Sequence, residues 1–362
     1  MKKNEAINNI KALSNLPGIS GFEDEVVKYV RNEWDKIGET DTDGIKNLYL
    51  ENFSGSQTGL TVQLDAHSDE VGFIVQAIKP NGLLQFLTVG GWVPSNIAAQ
   101  KVKVRTTNGN YIQGIVTSKP PHFMSEEERA KGLTIASLSI DIGAKSKEEA
   151  ENRFGVRIGA PVVPDVACDF NEETNLFLGK GFDCRIGVAC MMDVFDELKE
   201  SSLPYNLVGT LSAQEEVGLR GAQVGAKRVQ ADLAIVFEGC PADDTSSEEY
   251  MIQSALGKGP MLRYFDVSMI TNPEFQNRVV DLANKKGIPV QVSVRSGGGT
   301  NGAPINLYNG APAIVVGIPV RYAHTHHCYV DLDDYQAAKE LVTTFLKDLS
   351  ESDLAELAKP LG

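Results

Sequence analysis

Positive charge is in short supply. Lys and Arg number 34 against 48 Asp and Glu, a net charge of −14. Such a chain lacks the cationic face that displaces counterions from nucleic acid or docks on an anionic bilayer. Long apolar runs are missing too: no stretch approaches the roughly 18 consecutive apolar residues that cross a membrane. In the opening MKKNEAINNIKALSNLPGIS, Asn, Glu and Lys interrupt the apolar core that a secretory signal requires. The expectation is a cytoplasmic protein. Cysteine is sparse: Cys168, Cys184, Cys190, Cys240 and Cys328 are odd in number and show no CxxC spacing. That argues against a disulfide framework and a structural zinc knuckle, with reduced and mostly buried thiols as the expectation. Internal repeats and low-complexity tracts are absent.

What remains is globular composition, with 42% hydrophobic and 23% charged residues over 362 positions, a length that suggests two domains. Residues 4–16 and 22–37 carry helical patterns, with Ser20 or Gly21 placed to cap the second and Glu23, Asp24 and Glu25 favouring its N-terminus. Strands are expected at 47–51 and 60–64. From about Val71 to Val163 the texture changes to short β-rich runs (72–78, 83–89, 101–105, 111–116) broken by Gly, Asn and Pro, which suits a small barrel or sandwich. Beyond it, helices (187–201, 222–228, 273–286, 333–349) alternate with strands (205–212, 233–237, 290–294, 313–318), and Asn272 precedes a proline at a helix start. The expected architecture is α/β, a mixed sheet with helices on both faces, interrupted by a small β-barrel-like domain.

Five polar clusters follow the ends of apolar runs, where open α/β sheets place their sites. In LDAHSDE, His67 and Asp69 stand two apart and project to one side of an extended chain. His67 can bind a metal while Asp69 holds its other ring nitrogen; a solvated surface histidine is the plain alternative. In GKGFDCRIG, Asp183 lies between a glycine loop and a helix start, either as an N-cap or as a carboxylate able to bridge two metals, and Cys184 reads as a packed thiol. In LSAQEEVGLRG, the adjacent Glu215 and Glu216 follow a buried run. Two such charges are costly there unless paired or metallated, and one could ligate metal while the other reaches water as a general base. Glu238 ends a run too apolar for a surface strand, so its charge needs a partner or an exit to solvent. RYAHTHH holds His324, His326 and His327, three of the five histidines. Together the clusters supply two His and three or four carboxylates, a mixed N/O set suited to Zn²⁺, Co²⁺ or Mn²⁺ in a dinuclear centre, which can make hydroxide from water and polarise a carbonyl.

The ordered set AHSDEVGF, GKGFDCRIG, AQEEVGLRGA, FEGCPADD and RYAHTHH resembles the tetrahedral aminopeptidases, the glutamyl and deblocking aminopeptidase family. The opening LPGISGFEDEV and the segment GIVTSKPPHFM are similar to that family as well, so the resemblance runs essentially end to end. It implies two divalent metal ions, Zn or Co, one held by His67 and Glu238, the other by Glu216 and His324, with Asp183 bridging. Glu215 would be general base and acid, and Asp69 would orient His67. It further implies a catalytic metallopeptidase domain formed by residues 1–70 and 164–362, interrupted by a β-rich dimerisation domain at 71–163. The implied activity is removal of the N-terminal residue from short peptides by a homo-oligomer, a dodecamer built from dimers in many relatives. Glu238 stands where many relatives carry Asp, and Asn301 of GGGTNGAP stands where relatives often carry Asp, which bears on ligand geometry and on selectivity respectively. His122 resembles a family position without a ligand role, and His326 and His327 would be scaffold or pocket residues.

Competing readings are a dinuclear amidase or deacylase acting on N-acylated amino acids, a two-carboxylate glycoside hydrolase needing no metal, and a non-catalytic shell protein on the same scaffold. Acetyl-blocked against free-amine peptides separate the first, chelator resistance on a glucan the second, and absence of metal and hydrolysis the third. A pocket for acidic side chains would need local cations; Arg185, Arg220, Arg295 and Arg321 are the candidates.

Overall fold

The runs Leu233–Pro241 and Ala313–Val320 are apolar on both faces, as strands covered on two sides must be. In the computed structural model, which describes residues 3–51, 53 and 59–359, they pair in parallel at the centre of an eight-stranded mixed sheet. Its order is Glu39–Thr42, Leu48–Glu51, Asn206–Ser212, Thr61–His67, Leu233–Pro241, Ala313–Val320, Met261–Phe265 and Gln291–Val294. The four strands from Asn206–Ser212 to Ala313–Val320 run parallel, and antiparallel pairing joins both flanks to them. Alternate residues of one strand serve opposite cores. Leu233, Ile235 and Phe237 pack with helices Lys3–Asn15, Asp24–Trp34, Phe182–Leu198, Pro273–Lys286 and Leu332–Asp348, while Ala234 and Val236 pack with helices Arg220–Val229 and Gly302–Asn309. Burial on both faces of the sheet is the main stabilising term.

Between Thr61–His67 and the helix at Phe182, the chain leaves the sheet to form a closed six-stranded barrel from Gly72–Ile78, Leu84–Val89, Lys101–Arg105, Tyr111–Thr117, Ser139–Asp141 and Pro161–Pro164. Its own core centres on Phe73, Phe86, Val102, Val104, Val116 and Ile140. A β-bulge between Val75 and Ala77 helps the sheet curl to closure. No helix of the described residues is long and apolar enough to cross a membrane, and all five cysteines are free and buried.

Several local expectations are corrected. Neither Ser20 nor Gly21 caps the second helix, which runs Asp24–Trp34; Glu23 precedes it without a side-chain cap bond, and the Ser20 hydroxyl goes to Asp69 instead. The helix expected from Gly187 starts at Phe182, with Asp183 and Cys184 in non-helical conformation in its first turn. Gly181 at φ +60°, not Asp183, holds the N-cap position. Asn272 does cap its helix, accepting from the Phe275 N–H at 2.9 Å. The strand Cys328–Asp331 and the helices Gly302–Asn309 and Glu351–Ala358 have no counterpart in the sequence reading.

Candidate metal centre

Four carboxyl ends of parallel strands bring the polar clusters to one edge of the sheet. His67 ends Thr61–His67, Glu215 and Glu216 follow Asn206–Ser212, Glu238 lies in Leu233–Pro241, and His324 follows Ala313–Val320. Asp183 enters from the first turn of the long helix packed behind them. Nε2 of His67 lies 3.1 Å from Oδ1 of Asp183 and 3.2 Å from Oε1 of Glu238. Nε2 of His324 lies 3.2 Å from Oδ2 of Asp183 and 3.3 Å from Oε2 of Glu216. Asp183 therefore turns one oxygen towards each imidazole. Glu215 reaches the same space, its Oε2 3.9 Å from His67 Nε2. All seven site residues marked in the sequence, Asp69 included, converge here.

The donor set fits divalent cations. Glu216 Oε1 and Glu238 Oε2 are buried with no hydrogen-bond partner, and an orphaned carboxylate oxygen in such a place is costly. His67, Asp183 and Glu216 offer ligand atoms within 4.8 Å of one another, as do His67, Cys184 and Glu238. Burial raises the Glu216 carboxyl to about 7 and the Glu215 carboxyl well above its ordinary range, with neighbouring Glu238, Glu216 and Asp183 adding to the latter. Burial would depress both imidazoles, yet the surrounding acids outweigh it. His67 is held well above its usual value and His324 is pushed up to about 11. Four carboxyl groups around two imidazoles form a cage whose full ionisation would leave more negative charge than its own cations balance, which is why its acids and imidazoles hold protons. Cys184 is a packed thiol: burial pushes its pKa up, and its Sγ faces the Phe237 carbonyl at 3.3 Å.

A second layer holds these groups. His67 Nδ1 lies 3.1 Å from the Asp69 carbonyl and 3.4 Å from Asp69 Oδ1, the outer contact that fixes a ligating histidine. Behind it, Arg185 donates to the carbonyls of Leu13, Leu16, Gly18 and Ser68, and Lys180 Nζ sits 2.7 Å from Glu70 Oε1. These buried cations pin the opening loop against the strand end that carries His67. Asn301 donates to Asp65 Oδ1 at 2.7 Å, and Ser212 to Asp65 Oδ2 at 2.5 Å. Asn301 thus acts behind the site and does not line its cavity.

That cavity holds about 570 Å³ and is lined by Asp183, Glu215, Glu216, Glu238 and His324. Arg263, Arg295 and the loop 296–300 line it as well. Of the arginines singled out from sequence only Arg295 lines it. Arg185 is turned to backbone, Arg220 donates to Gln214 at 3.3 Å, and Arg321 pairs with Asp244 at 2.7 Å. Arg263 escaped notice; its signal is a lone cation in the apolar strand Met261–Phe265, paired with the buried Asp266 at 3.0 Å. His122 is exposed on the barrel and lines no part of the cavity. His326 is buried beside Trp92, ring centroids 5.1 Å apart, and His327 is exposed.

The profile of the M42 glutamyl aminopeptidase family matches residues 47–341. A lysyl aminopeptidase of Pyrococcus furiosus is 30% identical over 95% of this chain and 97% of its own length. Among solved structures, a TET aminopeptidase from the marine sediment archaeon Thaumarchaeota archaeon SCGC AB-539-E09 superimposes with a TM-score of 0.93 at 35% identity, covering 98% of this chain and 99% of that one. The Pyrococcus horikoshii TET1 peptidase, described as assembling into a tetrahedron or a large octahedral shell, matches with a TM-score of 0.85 at 27% identity over 95% of this chain and all of its own.

Proposed function

The chain belongs to the M42 glutamyl aminopeptidase family and is a metallo-aminopeptidase, and from that premise we propose that it removes the N-terminal residue of short peptides at a dinuclear centre with Glu215 as general base. The observation that carries the reading is the placement of Asp183 between two imidazoles, each with its own glutamate. His67 and Glu238 would hold one divalent ion, Glu216 and His324 the other, and Asp183 would bridge; Zn²⁺ and Co²⁺ share a preference for such a mixed N/O set.

Such a metal pair, when bound, supplies Lewis acidity that acidifies water and polarises the scissile carbonyl. Glu215 makes no side-chain hydrogen bond among the described residues, and its backbone is tied to Asp69 at 2.9 Å. Its carboxylate is thus oriented, free of hydrogen bonds and 3.9 Å from His67 Nε2, placed to take a proton from the attacking water and return it to the departing amine. The cage of acids favours a free α-ammonium beside it, which accounts for attack at the first peptide bond. In the same lining, Arg263 Nε and Arg295 Nη2 are buried without acceptors, as is Thr300 Oγ1. These donors and the positive charge of the two arginines in the cavity lining favour an acidic N-terminal side chain. The family's own description names glutamyl substrates and the Pyrococcus furiosus relative lysyl ones, so the choice for this chain rests on those arginines.

We place the protein in the cytoplasm, where its five free thiols stay reduced. We further propose that the barrel, bearing exposed Phe123 and Ile158, joins subunits in a homo-oligomer. The test of the central reading is metal analysis with a panel of glutamyl, aspartyl, leucyl and lysyl anilides, free and N-acetylated, with and without chelator. Two metal equivalents and chelator-sensitive cleavage of free-amine glutamyl substrate are expected. Preference for the acetylated series would replace this reading with a deacylase.

A further inference from the structure

We propose that Gly91, on the inserted barrel, is a positioning residue for His324, so that the barrel holds one half of the metal centre and not the other; the inference rests on the two-metal reading above. A Cβ at Gly91 would stand 3.1 Å from Nδ1 and 3.6 Å from Cε1 of His324, and these are the atoms it would meet within 4 Å beyond its chain neighbours. The backbone does not require glycine there, because Gly91 is not among the glycines with positive φ. The missing side chain is accounted for by the imidazole alone. Its neighbour Gly90 does need glycine, at φ +77°, and a Cβ there would meet Val71 at 2.5 Å and Glu216 Oε2 at 3.3 Å. The two barrel glycines thus approach His324 and Glu216, the ligands assigned to a single ion.

His324 needs such support. Its backbone is left-handed at φ +60°, unusual for a residue with a side chain. Nε2 faces Asp183 and Glu216, while Nδ1 faces Gly91 and makes no hydrogen bond among the described residues. The outer carboxylate or carbonyl that normally orients a ligating imidazole is replaced here by close backbone approach. Trp92, next along the barrel, packs on the buried His326 at 5.1 Å between ring centroids, so the same segment also anchors the loop two residues beyond. His67 and Glu238 are held instead by the main sheet and by Asp69.

Metal-free wild type, Gly91→Ala, Gly91→Val and the control Val93→Ala, whose side chain is 58% exposed, are to be titrated with Zn²⁺ by calorimetry. Wild type and Val93→Ala should show two binding events. In Gly91→Ala one event should keep its affinity and the other weaken by about tenfold, the usual effect of losing an outer support of a metal ligand, and Gly91→Val should weaken the same event further. Thermal melts of the metal-free proteins check the fold; if Gly91→Val melts early, Gly91→Ala decides. Two unchanged affinities in the Gly91 variants, or equal loss of both, overturn the proposal while leaving the dinuclear reading intact. A wild type that binds one equivalent overturns the dinuclear reading itself and this inference with it.

Discussion

Asp69 and Glu215 are joined through the backbone: Oδ1 of Asp69 accepts the Glu215 N–H at 2.9 Å. Oδ2 accepts the Glu216 N–H at 3.1 Å and the Ser20 hydroxyl at 2.6 Å. One carboxylate thereby ties the turn that carries the glutamate pair to the strand end that carries His67.

Because the turn is held by its backbone, the two glutamate side chains can be changed separately. Glu215→Gln preserves shape and is expected to keep the metal content while lowering kcat by about 10²–10⁴, the range of general-base catalysis. Glu216→Ala removes a carboxylate 3.3 Å from His324 and should lower the metal stoichiometry. Elemental analysis beside steady-state kinetics checks both. Full turnover in Glu215→Gln would remove that residue from the proton-transfer role.

Selectivity can be probed at Arg295. Its Nη1 pairs with Asp243 at 2.8 Å while Nη2 is unpartnered in the cavity wall. Arg295→Gln keeps a donor but loses the charge, so kcat/KM for glutamyl relative to leucyl substrate should drop by about tenfold, the worth of one hydrogen bond to a charged group. Arg263 is a poorer choice, since its removal strands the fully buried Asp266. An unchanged ratio would dismiss the arginine wall as the source of selectivity.

The alternation of helix and strand around a β-rich insert was legible because apolar periodicity and Gly/Pro punctuation are local signals. The short strand Cys328–Asp331 was not: it forms against Leu176–Gly179, a partner about 150 positions away that no window reveals. The site was legible residue by residue only as polar groups after apolar runs. Which imidazole meets which glutamate depends on the parallel register of Thr61–His67 with Asn206–Ser212 and Leu233–Pro241. Ser20 illustrates the limit. Its local context suggests a helix cap, and tertiary structure gives its hydroxyl to Asp69. Gly91 reads as ordinary loop punctuation until His324 is brought against it.

Stability should carry a pH signature from Asp334. Its oxygens accept the N–H groups of Gly257 at 2.8 Å and Gly259 at 2.6 Å, yet burial raises its carboxyl to about 7. An unfolded aspartate titrates near about 4. Between those values the folded state holds a proton that the unfolded state has lost, so stability falls as pH rises through that window and is flat above it. The stability difference between wild type and Asp334→Asn, measured by urea denaturation, should therefore shift against wild type from pH about 4 to about 7. A difference that stays constant across that range would mean the carboxylate is ionised in the fold.

Metal binding should displace protons. In the metal-free site the Glu215, Glu216 and Glu238 carboxyls are all raised by burial. His67 and His324 are raised by the acids around them, despite burial acting the other way. Near neutrality the two imidazoles and part of the Glu216 population therefore retain protons, and these three groups are assigned here as ligands, which coordinate only when deprotonated. Loading the chelator-stripped protein with Zn²⁺ is expected to release protons, with an affinity that rises as pH goes from about 6 to about 8. Calorimetric titrations in two buffers of different ionisation enthalpy count the protons directly. Melting temperature supplies an independent reading, because an ion bound to the folded chain alone stabilises it in proportion to the logarithm of its occupancy ratio. An affinity indifferent to pH, with no proton release, would mean that the acids and imidazoles gathered around Asp183 are not what holds the metal.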